Sequence, residues 1–335
     1  MTTTKQKTKS NMTSKPTTLP AIILEMPNEE YHRGEWCRDF VSSTQLKEFL
    51  VSPKAFDYLR RNGGKDISLE ASMKGSVYHA ILASIANTGC LDEFEKEYFV
   101  FEPPINPATG AAYGISTKKY QEAYQQALDE HPGMESTSQA EVDLANTMVD
   151  ALLGHCGNTS ESVGQLLQWG TSEISHFVEY KGLGFKFRTD LKTIHKIVDW
   201  KTIASKDLHE DTIASQINKL NYGFSAAFYQ FFNHLVTGEW AEFYWVFQQK
   251  EPPYDAVIVS ADAWAYCKLD DESPVYKGPS AIEFENTLQQ YLICNEKGYY
   301  PGAEVFIQPN IKGRRVMNLN VPSYKRNNIR TFYNK

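Results

Sequence analysis

Asp190, Asp199 and Lys201 are the residues whose types and spacing could carry out hydrolysis. Asp199 and Lys201 are two apart, so on a strand they share a face. Cutting a phosphodiester needs an activated water, neutralised charge at phosphorus and help for the leaving oxygen. A hard divalent cation can supply all three, and carboxylates are its natural ligands. Asp190 and Asp199 would hold the ion, with the backbone carbonyl of Trp200 as a further oxygen ligand. Lys201 would orient the water or stabilise developing negative charge. His79 and Glu173 are the other candidates.

The elements that must position these groups are legible in outline. Phe185, Phe187 and Thr189 alternate with Lys186, Arg188 and Asp190, the period of a half-buried strand. Ile197 to Thr202 predicts a second strand, joined to the first by the polar stretch Lys192 to Lys196. Glu173 to Tyr180 predicts a strand before them, and Ile22 to Leu24, Phe94 to Phe101, Glu242 to Gln248 and Tyr254 to Ser260 predict four more. Helices are expected from about Gln45 with Ser43 or Thr44 as cap, from Pro53, over Ser72 to Ala86, near 117–130 and 138–153, and over 280–297. The apolar spacing over 211–236 predicts one long amphipathic helix. Residues 154–170 are expected to be irregular or partly helical, and Val316 to Val321 form an apolar patch. The organisation expected is a disordered basic tail over 1–20, one domain over 21–310 and an extension over 311–335.

Composition narrows the class. The chain has 335 residues, 41% hydrophobic and 22% charged, ordinary for a globular protein with a large core. No apolar run approaches the roughly 18 residues of a membrane span, and the N-terminus lacks the apolar core of a secretory signal. Five scattered cysteines without a Cys-x-x-Cys pair argue against a zinc ribbon and suit a reducing cytosol. A cytoplasmic location is expected, with no membrane partner. There is no Gly-rich phosphate loop, no His-Glu-x-x-His and no Gly-x-Ser-x-Gly. Net charge is −7, yet residues 181–206 hold seven Lys or Arg against Asp190 and Asp199. That local excess makes Lys186, Arg188, Lys192 and Lys196 candidate phosphate contacts.

Asp190 with Asp199-Trp200-Lys201 resembles the PD-(D/E)xK nuclease signature, with Arg188-Thr189 where a proline often stands. Gly75-Ser-Val-Tyr-His79 resembles the G-x-x-x-H helix of RecB-type nucleases, and Glu173 stands one strand before Asp190, where an acid is common there. Phe40-Val-Ser-Ser-Thr-Gln-Leu, Ser52-Pro53-Lys-Ala-Phe56, Pro252-Pro253-Tyr254-Asp255 and Gly298-Tyr-Tyr-Pro301-Gly302 resemble the RecE-type exonuclease VIII family, in order. The resemblance implies an α/β (α+β) restriction-endonuclease-like core, a central mixed sheet flanked by helices, with a helical N-terminal part. It implies a Mg2+-dependent deoxyribonuclease, with Mn2+ able to substitute, acting 5′ to 3′ on duplex ends. Such enzymes belong to phage or prophage recombination modules in the bacterial cytoplasm. They leave 3′ tails for a single-strand annealing protein, and ring-forming relatives suggest a homo-oligomer. By the same resemblance His79 is a metal or phosphate contact, Glu173 an acidic helper, Asp190 and Asp199 the main ligands and Lys201 the catalytic lysine. One departure stands out. The family's Gln-x-x-x-Tyr appears here as Ser225 with Tyr229, which removes two amide donors from a position expected near DNA. The alternatives are an endonuclease or single-strand nuclease of the same fold, or a non-catalytic DNA-binding protein on that scaffold.

Overall fold

The structure is a computed structural model that describes residues 21–62, 76–154, 162–270 and 272–302. Gly75, Cys156 and the Val316 to Val321 patch lie outside the described residues. By contact density the chain divides into two compact units: Met1–Leu46 with Asp66–Asn286, and Lys47–Lys65 with Thr287–Lys335.

A six-stranded sheet forms the first unit. Its strands are β1 (Ala21–Glu25), β4 (Thr171–Tyr180), β5 (Leu183–Lys192), β6 (Lys196–Ile203), β7 (Glu242–Gln249) and β8 (Ala256–Ser260), in that spatial order. The β6–β7 pair is parallel and the other neighbours are antiparallel, so the sheet is mixed. Two short pairs stand apart: β2 (Tyr98–Val100) with β3 (Glu135–Thr137), and β9 (Tyr266–Cys267) with β10 (Tyr276–Lys277).

Helices cover the sheet. One apolar layer comprises α4 (Ser76–Thr88), α7 (Gln139–Leu153) and α8 (Val163–Trp169), whose Ile81, Leu82, Val149, Leu152 and Leu166 pack with Leu191, Val198, Trp200 and Val246 of the strands. Elsewhere α10 (Tyr222–Thr237) sets Phe228 and Phe232 against Phe185, and Tyr229 against Phe187 and Phe243. A third cluster joins Tyr31 of α1 (Asn28–Arg33) and Trp36, Cys37 and Phe40 to Phe177 of β4. No described helix is long and apolar enough to cross a membrane.

Most predicted elements are present, with three local differences. The Phe94 to Phe101 stretch splits into the single helical turn α5 (Phe94–Glu97) and β2, because Glu95, Lys96 and Glu97 supply no second buried face. The cap of α2 (Ser43–Val51) is Ser42: its hydroxyl accepts from the Gln45 N–H while the Gln45 amide oxygen accepts from the Ser42 N–H. The long helix over 211–236 is two, α9 (Glu210–Lys219) and α10, broken where Asn221 takes a left-handed φ of 48°. Asparagine tolerates that conformation, and the apolar period reads through it.

The second unit pairs α3 (Pro53–Asn62) with the C-terminal part of α11 (Pro279–Lys297). Its centre is aromatic: Phe49 and Phe56 each lie 5.5 Å from Tyr291.

Beside the β5–β6 gap, Val41 takes a strand-like place. Its N–H donates to the Gly184 carbonyl at 2.9 Å, and its carbonyl accepts from Lys186 at 3.0 Å. This works because position 184 has no side chain: a Cβ there would fall 2.7 Å from the ring of buried Phe40. Gly184→Ala should therefore destabilise the fold by about 1–3 kcal/mol through overpacking. Urea unfolding measures this, and an unchanged midpoint would show that Phe40 can move aside without cost.

Candidate metal centre

Four elements deliver the chemistry. His79 comes from α4, Glu173 from β4, Asp190 from β5, and Asp199 and Lys201 from β6. The first three converge: one donor atom from each lies within 4.8 Å of the others. Such a set of one imidazole nitrogen and two carboxylates suits a divalent cation.

Convergence depends on a break in the sheet. The β4–β5 ladder runs from Thr171↔Lys192 to Tyr180↔Leu183 in one register, but skips Glu173 and Asp190. Glu173 has φ 56°, a left-handed conformation in mid-strand. A non-glycine residue there is strained by about 1–3 kcal/mol. Side-chain direction changes at the same place. Phe185 and Phe187 lie against rings of α10, whereas Leu191 packs with the α4–α7–α8 layer. Strict alternation would have put all three on one face.

Helix α4 holds this break from above. The Asn87 side chain brackets the backbone of Ser172: its Oδ1 accepts the Ser172 N–H at 3.0 Å and its Nδ2 donates to the Ser172 carbonyl at 3.5 Å. Ser172 immediately precedes Glu173. At the other end, the Tyr78 hydroxyl donates to Gln248 Oε1 at 2.6 Å, anchoring the helix to β7. The next residue, His79, is thereby set with Nδ1 3.7 Å from Asp190 Oδ2.

A second opening lies between β5 and β6, which share only the pairs Leu191↔Val198 and Lys192↔Ile197. Beyond them, Asp190 Oδ2 accepts the backbone N–H of Trp200 at 2.8 Å. In an extended strand a residue's N–H and C=O point to the same neighbour. The Trp200 carbonyl therefore faces this gap too.

Two ion pairs, Arg188 with Glu173 and Lys201 with Asp199, flank the centre. Burial, with the negative charge of Asp190 and despite the opposing pull of Lys201, pushes the Asp199 carboxyl up to about 6. Lys201 Nζ donates to Asp199 Oδ1 at 2.7 Å and sits 5.0 Å over the Tyr222 ring. Burial works against its charge, but Asp199 and Asp190 outweigh it and raise the ammonium pKa above its ordinary value. Glu173 is pushed up to about 7 by burial, against the lowering effect of Arg188 and with the help of Asp190. Burial and Lys201 pull His79 down to about 4, so its imidazole is neutral near pH 7, the form that binds metals.

Two residues expected to touch DNA turn inward. Arg188 is buried; its Nε donates to Ser175 Oγ at 2.9 Å, one terminal nitrogen donates to the Met26 carbonyl, and the other lies 3.4 Å from Glu173 Oε2. Lys186 is also buried, and its Nζ donates to the Tyr31 carbonyl at 2.7 Å. Both cations lie over the Tyr31 ring, at 4.7 and 5.0 Å. Charge counting could not show that α1 covers this face. Lys192 and Lys196 stay half-buried at the hairpin end. Ser225 Oγ is 3.5 Å from Ser43 Oγ, and Tyr229 is hydrogen-bonded to Ser43. Gln230 cannot replace the missing glutamine, because its amide is committed to Ala241 and Tyr266.

A family model described as a PDDEXK-like domain of unknown function (DUF3799) matches residues 42–299. The chain belongs to that family. It is therefore a member of the PD-(D/E)xK nuclease superfamily, whose members typically use divalent metals. No curated protein matches the chain. A crystal structure of a "putative exonuclease" from Eubacterium rectale is similar at 17% identity, with a TM-score of 0.49, covering 90% of this chain and 98% of that one.

Two measurements follow. Protonation of Glu173 would remove a ligand, so affinity for Mn2+ or Mg2+ should be full above about pH 7 and fall by up to about tenfold per pH unit below it. By linkage the same raised pKa makes Glu173 destabilise the metal-free fold progressively from about pH 4.5, fully above about pH 7, with the penalty relieved on acidification through that window. Calorimetric titrations on either side of that pH test this, and equal affinities would remove Glu173 from the ligand set. Asn87→Ala should cost about 1–3 kcal/mol by leaving the Ser172 backbone unpaired, and should weaken metal binding. A loss of stability with unchanged metal affinity would make the clamp purely structural.

Proposed function

We propose that this protein is a metal-dependent deoxyribonuclease, and that it degrades duplex ends 5′ to 3′ in the manner of the RecE-type exonucleases it resembles. The observation that carries the reading is the meeting of His79, Glu173 and Asp190 within 4.8 Å, beside Asp199 and Lys201, in a PDDEXK-like chain. His79, Glu173 and Asp190 would hold the ion, with Asp199 and the Trp200 carbonyl completing the set. Once bound, a divalent ion lowers the pKa of a coordinated water and neutralises charge on the scissile phosphate.

The residues themselves divide the remaining work. Lys201 stays protonated near pH 7, because Asp199 and Asp190 hold its charge. It therefore acts as a cation beside the phosphate oxygens, stabilising the charge that builds there, and not as the base that takes a proton from water. Asp199 fixes the ammonium at 2.7 Å and so aims it. Tyr229 and Ser225, both hydrogen-bonded to Ser43, are the hydroxyls that the resemblance sets near DNA. The recombination setting, an annealing partner and a ring assembly are parts of this proposal that rest on the resemblance alone.

Linear duplexes labelled at the 5′ or 3′ end, beside closed circles, test the reading with Mg2+, with Mn2+ and with chelator. Release of 5′ label first, sparing of circles and loss of cutting in chelator are expected. Asp190→Ala should lower cutting by at least about 100-fold, since it strips a ligand and the Trp200 contact together. Undiminished cutting by that variant would reject the site, and cutting of circles would point to an endonuclease.

A further inference from the structure

The second unit holds a pocket of about 280 Å³ that the catalytic reading does not use. Its walls are Asp57, Arg60 and Arg61 of α3, Tyr291 and Asn295 of α11, and Tyr300 beyond it. Spacing explains the convergence: 57, 60 and 61 share one helical face, as do 291 and 295 on the other helix. The Tyr300 ring packs 6.3 Å from Phe49 and 6.2 Å from Phe56. Arg61 Nε donates to Asp57 Oδ1 at 2.8 Å, a surface pair one helical turn apart. Arg60 lies 5.6 Å from the Phe56 ring centroid. Burial and the nearby acidic groups push Tyr300 up to about 12, against the pull of Arg60, so its hydroxyl remains a donor.

Among the lining residues of the pocket two guanidinium groups stand against one carboxylate. Its surroundings agree: the described residues of this unit carry five Lys or Arg (47, 54, 60, 61 and 297) against three acids (48, 57 and 296), in a chain of net charge −7. Two tyrosines adjoin lining residues in sequence, Tyr58 next to Asp57 and Tyr299 next to Tyr300. Tyr58 is 65% exposed and Tyr299 is 59% exposed. Cations interleaved with exposed aromatics form the surface on which single strands bind, phosphates to the cations and bases to the rings. At about 280 Å³ the pocket is just below the usual range for drug-sized ligands, and suits one nucleotide's phosphate and sugar.

We infer that this pocket binds a backbone phosphate of single-stranded DNA, with neighbouring bases stacking on Tyr58 and Tyr299. Choosing nucleic acid over another anion rests on the nuclease reading. The pocket residues take no part in cleavage chemistry, so binding and cutting are separately measurable.

The test uses the full chain in chelator, a labelled single-stranded oligothymidylate and fluorescence anisotropy across a salt series. The double variant Arg60→Gln, Arg61→Gln should bind about tenfold more weakly, with a salt slope shallower by about 1–2. Arg60→Lys with Arg61→Lys should keep the slope. Tyr58→Ala and Tyr299→Ala should each weaken binding about fivefold or more and leave the slope unchanged. Wild-type affinity and slope in a folded glutamine variant would overturn the inference. If that variant fails to fold, the tyrosine variants decide, and unchanged affinity in both overturns it. Unchanged strand binding with loss of calorimetric binding of thymidine 5′-monophosphate would assign the pocket to free nucleotide and reject the strand. A chain that cuts nothing, yet loses strand binding in the glutamine variant, would keep the pocket and reject the nuclease reading.

Discussion

Like charges held close together set the terms for this structure. Glu173 and Asp190 are opposed across two strands, with donor atoms within 4.8 Å, and Asp199 interacts with Asp190 from a third strand. Two carboxylates about 4 Å apart repel by about 4 kcal/mol at an effective dielectric of about 20. That is a large share of the stability of a typical domain, about 5–15 kcal/mol. The fold answers with one cation on each flank. Arg188 lies 3.4 Å from Glu173, and Lys201 lies 2.7 Å from Asp199. Burial raises the pKa of both Glu173 and Asp199, and the nearby charge of Asp190 adds to it. A divalent ion is the natural completion.

Arg188 shows how the N-terminal segment enters this balance. Its guanidinium spans Met26, Ser175 and Glu173 and rests over Tyr31, so α1 and β4 share one cation. The same face carries Lys186, also tied to Tyr31. Burying two cations is costly unless each is fully engaged. Here the engagement fixes the strand on which Asp190 stands. The local basic excess over 181–206 is thus partly internal scaffolding, with Lys186 and Arg188 turned inward and Lys192 and Lys196 half-buried at the hairpin end.

Much of this was legible in the sequence because strands and amphipathic helices have short periods. The β5–β6 hairpin, the helix carrying His79 and the acid on the preceding strand could all be read from residue types and spacing. What escaped depended on contacts distant in sequence. Asn87 is an unremarkable helix residue until Ser172 is found beneath it. Left-handed Glu173 has no local signature, since neither Gly nor Asn marks the position. The inward turn of Lys186 and Arg188 followed from α1 packing over them, about 155 residues away in the Lys186 contact. The break at Asn221 could have been suspected from its tolerance of positive φ, but the apolar period concealed it.

That break also places a group at the centre. Because α9 ends and α10 begins at Tyr222, the Tyr222 ring sits 5.0 Å from the Lys201 ammonium. A continuous helix would have no reason to start a turn there. Aromatic faces attract a cation without neutralising it or donating a proton to it. Lys201 is consequently gripped on one side by a carboxylate and steadied on another by a ring, while 21% of its side chain stays exposed. In the proposed active site, a lysine so held would be pre-oriented before substrate arrives. Preorganisation of this kind, with the reorganisation cost met during folding, is what makes an electrostatic contribution effective in the transition state.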